Sequence, residues 1–254
     1  MNSCTVAQSA RIRENCAMGS YCVIGEDVSI GENVVIGNGV IIHNDSVIGD
    51  NVIIQDNAVI GKFPVKAKNS VKNLMKGEDL YLEPSIIGDS CIIGTSAIVY
   101  RGSTLDRDCY LADQTAVREK VSIGERTIIG RGVLVENDCI IGKMCKIEAN
   151  AYITAHSQIG DYAFIAPGVV TTNDNFVGRT KDRVKHMKGV TVKTGGRVGA
   201  NATILPGKII EEDALVAAGS VVTKNANKGI IVKGNPAKFY RKVPEEQLLK
   251  NNLE

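Results

Sequence analysis

Residues that could transfer a proton surround one of the three histidines of this 254-residue chain. Asp138, His156 and Asp174 are spaced 18 residues apart. An imidazole, with an ordinary pKa of about 6.5, can accept a proton near neutral pH, and a neighbouring carboxylate raises its basicity and fixes its orientation. We therefore predict that His156 acts as a general base if the fold brings the aspartates to its side.

A six-residue repeat must position these side chains. An apolar residue stands at every sixth position from Val6 to Ile60, from Ile87 to Ile165 and from Val192 to Val222. The next position is often Gly followed by Asp, Glu or Asn, as in "IGEDVS" at 24–29, and these residue types tolerate the backbone of a tight turn. Each hexad therefore predicts a short strand and a turn.

This repeat resembles that of the hexapeptide-repeat acyltransferases, whose fold is an all-β, left-handed parallel β-helix. The resemblance implies that three hexads form one triangular coil, so that residues 18 apart stack, and that roughly ten coils follow one another. Residues 1–243 would form this acyltransferase domain, with inserted loops at 62–86 and 173–191. The ending "VPEEQLLKNNLE", with Pro and two acids near its start, predicts a short helix over 244–254.

With that fold, both loops leave from one edge of the prism, which we name the first edge. On the second edge Gly persists after the apolar residue, as at Gly31 and Gly49, whereas on the first edge larger side chains replace it, as at Tyr100. Departure from a local rule tends to mark function. The first edge consists of the turns after the hexads that start at Ile24, Ile42, Ile60, Val99, Val117, Val135, Ile153, Thr171, Ile204 and Val222.

The stacked columns of the first edge supply the candidate site. We predict catalytic roles for His156, Asp138 and Glu136, and substrate contacts for Arg118, Glu119 and Asn137. A non-functional interpretation stays open, because His and Asp also fill turns with positive φ and the charged residues could form a solvated ladder. The third edge, which carries residues such as Asp113 and Arg131, could complete the site from a neighbouring subunit, since members of the resembled family are trimers with sites between subunits.

Three C-terminal stretches carry the resemblance further, namely "VGANATILPG" (198–207), "VAAGSVVTK" (216–224) and "VKGNPAKFYRKV" (232–243). In acetyltransferases of this fold such stretches hold acetyl-CoA. The resemblance implies that small residues let the pantetheine arm lie close to the backbone and that lysines meet its phosphates. The implied cofactor-binding residues are Gly199, Ala200, Ala218, Gly219, Lys224, Asn235, Pro236 and Lys238.

The stretch "VVTTNDNFVGRT" (169–180) resembles the loop of nucleotide-linked amino-sugar N-acetyltransferases. Asn173, Asp174, Asn175 and Arg179 are then expected to bind substrate, and the implied reaction acetylates the amino group of a dTDP- or UDP-linked deoxyamino sugar. Bacillosamine-type relatives place their basic His one position earlier, where this chain has Ala155. Two mechanisms therefore stay open: His156 accepts the proton, or the substrate amine needs no protein base.

Three alternatives are distinct from this interpretation. A sugar O-acetyltransferase would need a stronger base. A γ-type carbonic anhydrase would need three histidines at one zinc ion, and only His43, His156 and His186 exist. A non-catalytic β-helix scaffold would not need the "GNPAK" loop. The function of loop 62–86 is open, and its place beside His43 suggests nucleotide or sugar binding.

Composition narrows the function classes. A net charge of +2 and 4% aromatic residues do not favour nucleic acid as a partner, and no apolar run approaches the roughly 20 residues of a membrane span. Since the N-terminus has no apolar signal core, we expect a cytoplasmic protein that binds no metal and does not insert into membranes. Six of the seven cysteines fall at the fifth hexad position and are predicted to be small packing residues: Cys16, Cys22, Cys91, Cys109, Cys139 and Cys145.

Overall fold

In the computed structural model, which describes residues 3–65 and 81–253, the chain winds into a left-handed parallel β-helix. Most strands are two residues long, with the first residue facing outward and the second buried, as at Ser122 and Ile123. Because the side chains of a strand alternate and a turn follows immediately, each hexad buries one large apolar residue and then changes direction. The predicted fold class is confirmed.

Sheet 1 leads into the first edge. Its strands pair in parallel, and their register places residues 18 apart side by side except where a loop intervenes, as between Ile60 and Val99. The strands of this sheet are β1 (Thr5–Val6), β4 (Val23–Ile24), β7 (Ile41–Ile42), β10 (Val59–Lys62), β13 (Ile98–Tyr100), β16 (Ala116–Val117), β19 (Leu134–Val135), β22 (Tyr152–Ile153), β25 (Val170–Thr171), β28 (Thr203–Ile204) and β31 (Val221–Val222).

Sheet 2 leads into the second edge. Its strands are β2 (Arg11–Ile12), β5 (Ser29–Ile30), β8 (Val47–Ile48), β11 (Ile86–Ile87), β14 (Thr104–Leu105), β17 (Ser122–Ile123), β20 (Ile140–Ile141), β23 (Gln158–Ile159), β26 (Thr191–Val192) and β29 (Ile209–Ile210).

Sheet 3 leads into the third edge. Its strands are β3 (Ala17–Met18), β6 (Val35–Ile36), β9 (Ile53–Ile54), β12 (Ile92–Ile93), β15 (Tyr110–Leu111), β18 (Ile128–Ile129), β21 (Lys146–Ile147), β24 (Phe164–Ile165), β27 (Arg197–Val198), β30 (Leu215–Val216), β32 (Ile230–Lys233) and β33 (Lys238–Lys242).

Both inserted loops leave from the first edge, as predicted. The first follows β10 and returns at β11, and residues 66–80 within it lie outside the described residues. The second follows β25, contains a 3-10 helix at Lys181–His186, and returns at β26. Each loop therefore joins sheet 1 to sheet 2, and the 18-residue stacking resumes after it.

The turns explain why the third hexad position favours Asp and Asn. The side-chain oxygen of Asp50 accepts a hydrogen bond from the backbone N–H of Glu32 in the preceding coil. In the same way, the side chain of Asp89 accepts a hydrogen bond from the backbone N–H of Asp50. On the first edge Asn44 forms this bond with Glu26. From Lys62 onward, Asn returns at this position of that edge only at Asn137 and Asn173, and the amide of Asn137 contacts Asp138 instead.

The core is a column of buried isoleucines, valines and small residues. Five of the six cysteines predicted to pack are buried, and Cys16 is partly buried. The thiol of Cys139, for example, donates to the carbonyl of Thr154 at 3.2 Å, while burial raises the pKa of Cys139 to about 12 and that of Cys145 to about 11. The buried cysteines pack in the core as predicted, and Cys139 and Cys145 stay protonated.

Two predictions about the C-terminal part need correction. The described sheets hold 11, 10 and 12 strands, slightly more than ten coils, because β32 and the antiparallel β33 continue sheet 3 beyond the last hexad. The predicted helix over 244–254 is two separate 3-10 turns, Glu245–Gln247 and Leu249–Asn251. Leu248 adopts an extended backbone between them, and the N–H of Leu249 binds Asp213, so no continuous α-helix forms.

Candidate functional site

The first edge brings the predicted column of polar residues together. The register of β13, β16, β19 and β22 aligns Val99, Val117, Val135 and Ile153, so the residue after each one stacks on the next coil. Neighbouring coils are one strand spacing, ~4.8 Å, apart. The stacked residues are Tyr100, Arg118, Glu136 and Thr154.

Arg118 is the centre of the charges in this column. Its guanidinium binds Glu119 at 2.9 Å and lies 3.5 Å from Glu136 and 5.0 Å from the Tyr100 ring centroid. Although burial opposes the charge, Glu119 and then Glu136 raise the pKa of Arg118. Only 1% of the Glu119 side chain is exposed, so this pair fixes the middle of the edge.

Tyr152 lies on the outward side of the neighbouring strand β22. Burial, and then the negative charge of Glu136, raise the pKa of its phenol. The hydroxyl is therefore kept protonated and can donate a hydrogen bond close to Glu136.

His156 sits in the turn that follows β22, with φ of 65°. Its Nδ1 lies 3.9 Å from Oδ2 of Asp138, beyond hydrogen-bond distance, and 44% of the side chain is exposed. The same Asp138 oxygen accepts a short hydrogen bond from the amide of Asn137. His156 and Asp138 are thus adjacent, as predicted, but they form an open pair rather than a hydrogen-bonded dyad.

Asp174 does not continue the His156 stack. The register of β23 and β26 pairs Gln158 with Thr191, which places Gly189 next to His156. A Cβ at Gly189 would lie 2.4 Å from the backbone of His156. The returning arm of the second loop therefore occupies the position that the 18-residue count gave to Asp174.

Asp174 instead organises the second loop. Its carboxylate accepts the N–H groups of Gly178 and Phe176 and binds Arg183 at 2.9 Å. These contacts, the bond from Gly178 first, lower the pKa of Asp174. The carbonyl of Asn173 accepts the N–H of Lys188 at 3.0 Å and closes the base of the loop.

The other two substrate-binding candidates of this loop, Asn175 and Arg179, lie exposed in its outer part. Neither side chain has a hydrogen bond or an ion pair within the described residues. Both are accessible to a ligand, and their predicted substrate contacts stay a prediction.

The predicted cofactor residues fall into two groups. Gly199 stacks against Ala218, and the N–H of Gly219 binds the carbonyl of Ala200, so these four lie together on the third edge. Lys224 and Lys238 line one surface cavity of about 350 Å³ with Phe239.

Asn235 and Pro236, the remaining cofactor candidates, form the exposed turn of the β32–β33 hairpin and are joined by a cis peptide bond. Sheet 1 separates the small-residue group on the third edge from His156 on the first edge. A single chain thus does not bring these two parts of the predicted site together.

Sequence reasoning missed Arg101, which has 6% exposure. Its guanidinium donates to the carbonyls of Leu82 and Asn44 and to the carboxylate of Asp45, at 2.7–2.9 Å. It therefore ties both coils beside the first loop to the returning arm of that loop. An Arg at a third hexad position, where Asp or Asn is usual, was the available signal.

The histidines do not cluster. His43 follows β7 and His156 follows β22, five strand steps apart on sheet 1, and His186 packs against Phe176 in the second loop. Across residues 3–65 and 81–253, no group of three or more His, Cys, Asp or Glu side chains is arranged to hold a metal ion. Within the same ranges, no helix has the length and apolar character needed to cross a membrane.

The stacked hexads and the altered first edge define a hexapeptide-repeat β-helix protein. The model for bacterial transferase hexapeptide (six repeats) matches residues 9–44, 27–62 and 138–173, and that for the hexapeptide repeat of succinyl-transferase matches 120–155 and 195–224. The chain belongs to the hexapeptide-repeat transferase family.

Similar solved and curated proteins agree with this fold. The UDP-N-acetylglucosamine O-acyltransferase of Moraxella catarrhalis has a TM-score of 0.54 and 21% identity over 96% of this chain and 75% of that one. Gamma carbonic anhydrase 2, mitochondrial, of Arabidopsis thaliana is 44% identical over 24% of this chain and 23% of its own length. The 2,3,4,5-tetrahydropyridine-2,6-dicarboxylate N-acetyltransferase of Clostridium perfringens (strain 13 / Type A) is 47% identical over 19% of this chain and 21% of its own length. The chain thus spans less than a quarter of these curated relatives.

Proposed function

We propose that this protein transfers an acetyl group from acetyl-CoA to the amino group of a dTDP- or UDP-linked deoxyamino sugar. The observation that carries the proposal is the first edge, where Asp138 shares a turn with Glu136 and His156 lies in the next coil, one coil from Glu136 and two from Arg118. This edge offers a proton acceptor next to paired charges that can bind a polar, cationic acceptor. Membership of a transferase family is consistent with the group-transfer chemistry.

In the proposed reaction Glu136 binds the substrate ammonium, which loses its first proton to water and becomes the attacking amine. The amine nitrogen forms a bond to the thioester carbonyl carbon, and backbone N–H groups stabilise the resulting oxyanion. Collapse of this intermediate breaks the carbon–sulfur bond. The nitrogen gives up its second proton to His156 or to water, and the departing thiolate takes up one proton, so the products are the amide and free coenzyme A.

The open geometry of His156 favours an amine over a hydroxyl acceptor. A sugar hydroxyl must lose its proton as it attacks, which requires a well-oriented base. Here Nδ1 is 3.9 Å from Asp138, so the imidazole lacks the hydrogen bond that would orient it. An unprotonated amine is already nucleophilic, and proximity to the thioester supplies much of the rate.

The cofactor is proposed to lie between subunits of a homotrimer. Lys224 and Lys238 around their shared cavity are suited to the phosphates of coenzyme A, and the small residues around Gly199 and Gly219 to its pantetheine arm. Since this small-residue group is on the third edge and His156 is on the first, a complete site needs the third edge of a second copy. Three copies, each pairing its first edge with the third edge of the next, close a ring.

The decisive experiment incubates the protein with acetyl-CoA and a panel of dTDP- and UDP-linked amino sugars, with the matching hydroxyl sugars as controls, and measures free thiol. Thiol release with amino sugars alone is the expected result. In His156→Ala, kcat should fall about tenfold or less if the amine needs no protein base. Near-complete loss of activity, or turnover of hydroxyl sugars only, would favour O-acetylation instead. If the protein releases no thiol with any acceptor and binds no coenzyme A, the proposed function is wrong.

A further inference from the structure

A second polar cluster lies on the first edge at the base of the first loop, away from His156. The register pairs Lys62 with Tyr100, and Tyr100 stacks on Arg118 in the next coil. The Lys62 ammonium and the Arg118 guanidinium lie 5.4 Å and 5.0 Å from the Tyr100 ring centroid. A cation, a phenol and a second cation therefore follow one another along the edge.

The charges of this cluster are unequally neutralised. Arg101 is paired with Asp45, and Arg118 with Glu119 and Glu136. The ammonium of Lys62 has no ion pair within residues 3–65 and 81–253. Lys62 is thus the cation of this cluster that remains available to an anion.

The pKa of His43 is consistent with the same local excess of positive charge. Its pKa is lowered by burial and then by the charges of Lys62 and Arg101, so the ring is neutral near pH 7. A neutral imidazole at this place can donate one hydrogen bond without adding charge.

An aromatic surface stands beside this cation. The Arg101 guanidinium lies 4.8 Å from the Phe63 ring centroid, and 50% of Phe63 is exposed. Arg101 is itself held by Leu82, Asn44 and Asp45, so it supports the ring from a fixed position. A supported, half-exposed aromatic ring is a platform on which a nucleobase can stack.

The spacing along the edge fits a bipartite ligand. Lys62 is four coils from Thr154, which lies in the same turn as His156, and this corresponds to ~19 Å at the backbone. A sugar bound near His156 would direct its diphosphate along the edge towards the free cation, with the nucleobase beyond it. Arg118 and Glu136 occupy intermediate coils, where they would face the sugar and the first phosphate.

We propose that Lys62, Tyr100 and Phe63 form the binding site for the nucleoside diphosphate of the acceptor, with Lys62 on the phosphates and Phe63 under the base. This inference rests on the proposed acetyl transfer, because it assigns the other end of the same substrate. The ligand class is a pyrimidine nucleoside diphosphate.

The test measures direct binding of UDP, dTDP and the free nucleosides to the full chain by calorimetry. Lys62→Met should weaken UDP or dTDP binding about tenfold, reduce its salt dependence and leave nucleoside binding within about twofold. Phe63→Ala should weaken diphosphates and nucleosides alike, about tenfold. Lys143→Met, an exposed lysine on the second edge, is the matched control, and unchanged coenzyme A affinity verifies that each variant is folded.

The outcomes separate this inference from the proposed function. If the wild type binds no nucleoside diphosphate, or if both variants bind it as the wild type does, the assigned site is wrong even when amino sugars are acetylated. If thiol release fails with every amino sugar while Lys62→Met and Phe63→Ala still weaken nucleotide binding, the site stands and the proposed reaction is wrong.

Discussion

Replacing Arg101 tests how the first loop is attached to the β-helix. In Arg101→Met the hydrophobic stem remains, but the carbonyls of Leu82 and Asn44 and the carboxylate of Asp45 lose their donors. The hydrogen bonds through which this side chain joins Leu82 of the returning arm to the coil of Asn44 are then lost. We expect destabilisation and a loosened loop base.

The magnitude follows from burial. Removing one partner of a fully buried ion pair costs about 3–5 kcal/mol. Here the arginine is buried but 45% of the Asp45 side chain is exposed, so solvent recovers part of that loss. With the two unsatisfied carbonyls included, we expect a loss of about 2–4 kcal/mol in the free energy of unfolding. For a chain of this size that corresponds to a fall in Tm of about 4–16 °C.

Thermal and urea unfolding of the wild type and three variants provide the assay. Arg101→Lys keeps the charge but not the three-way fork, so its loss should lie between those of the wild type and Arg101→Met. Arg107→Met removes an exposed ion pair with Glu125 and should leave Tm close to that of the wild type, because solvent screens such a pair. If Arg101→Met melts within 2 °C of Arg107→Met (a limit of about 0.5–1 kcal/mol), the anchoring role is refuted.

Three other predictions concern single side chains. Because their raised pKa keeps Cys139 and Cys145 protonated, a thiol reagent at pH 8 should modify them only on unfolding, and rapid labelling of the native chain would contradict this. Burial and neighbouring cations lower the pKa of His43 below its unfolded value of about 6.5, so the free energy of unfolding should fall as pH drops from that value towards the folded pKa. In His43→Gln the urea midpoint should depend less on pH over this window. Gly189→Ala should lower Tm and kcat together, at a cost of about 1–3 kcal/mol, because its Cβ would meet the His156 backbone; an unchanged Tm would show that the turn can shift freely.

The six-residue period was sufficient to predict most of the architecture. It predicted the inward isoleucines and the buried cysteines, since each hexad follows one simple rule of burial and turn, and together with the 18-residue coil it predicted the edge from which both loops leave. The family resemblance supplied the 18-residue coil and its handedness. The C-terminal segment holds two short 3-10 helices instead of one continuous short helix, because Pro and acidic residues favour a helix start but do not determine whether the following residues continue it.

The candidate site was less predictable because the repeat ends where a loop begins. The count of 18 placed Asp138 beside His156 correctly, since the chain between them is uninterrupted. On the other side it named Asp174, whereas the returning arm supplies Gly189. Which arm of an insertion continues a stack depends on the geometry of the loop, and no periodic pattern contains that information.

Uniform stacking of the coils fixes the distances between sites along the first edge. The separation between the cluster at Lys62 and Tyr100 and the turn of His156 is set by whole coils, so it changes only in steps of ~4.8 Å. Removal of one 18-residue coil, residues 119–136, would shorten that separation by one step and leave the coils on either side in register. For the proposed acceptor, the length that the edge accommodates would therefore change in whole coils.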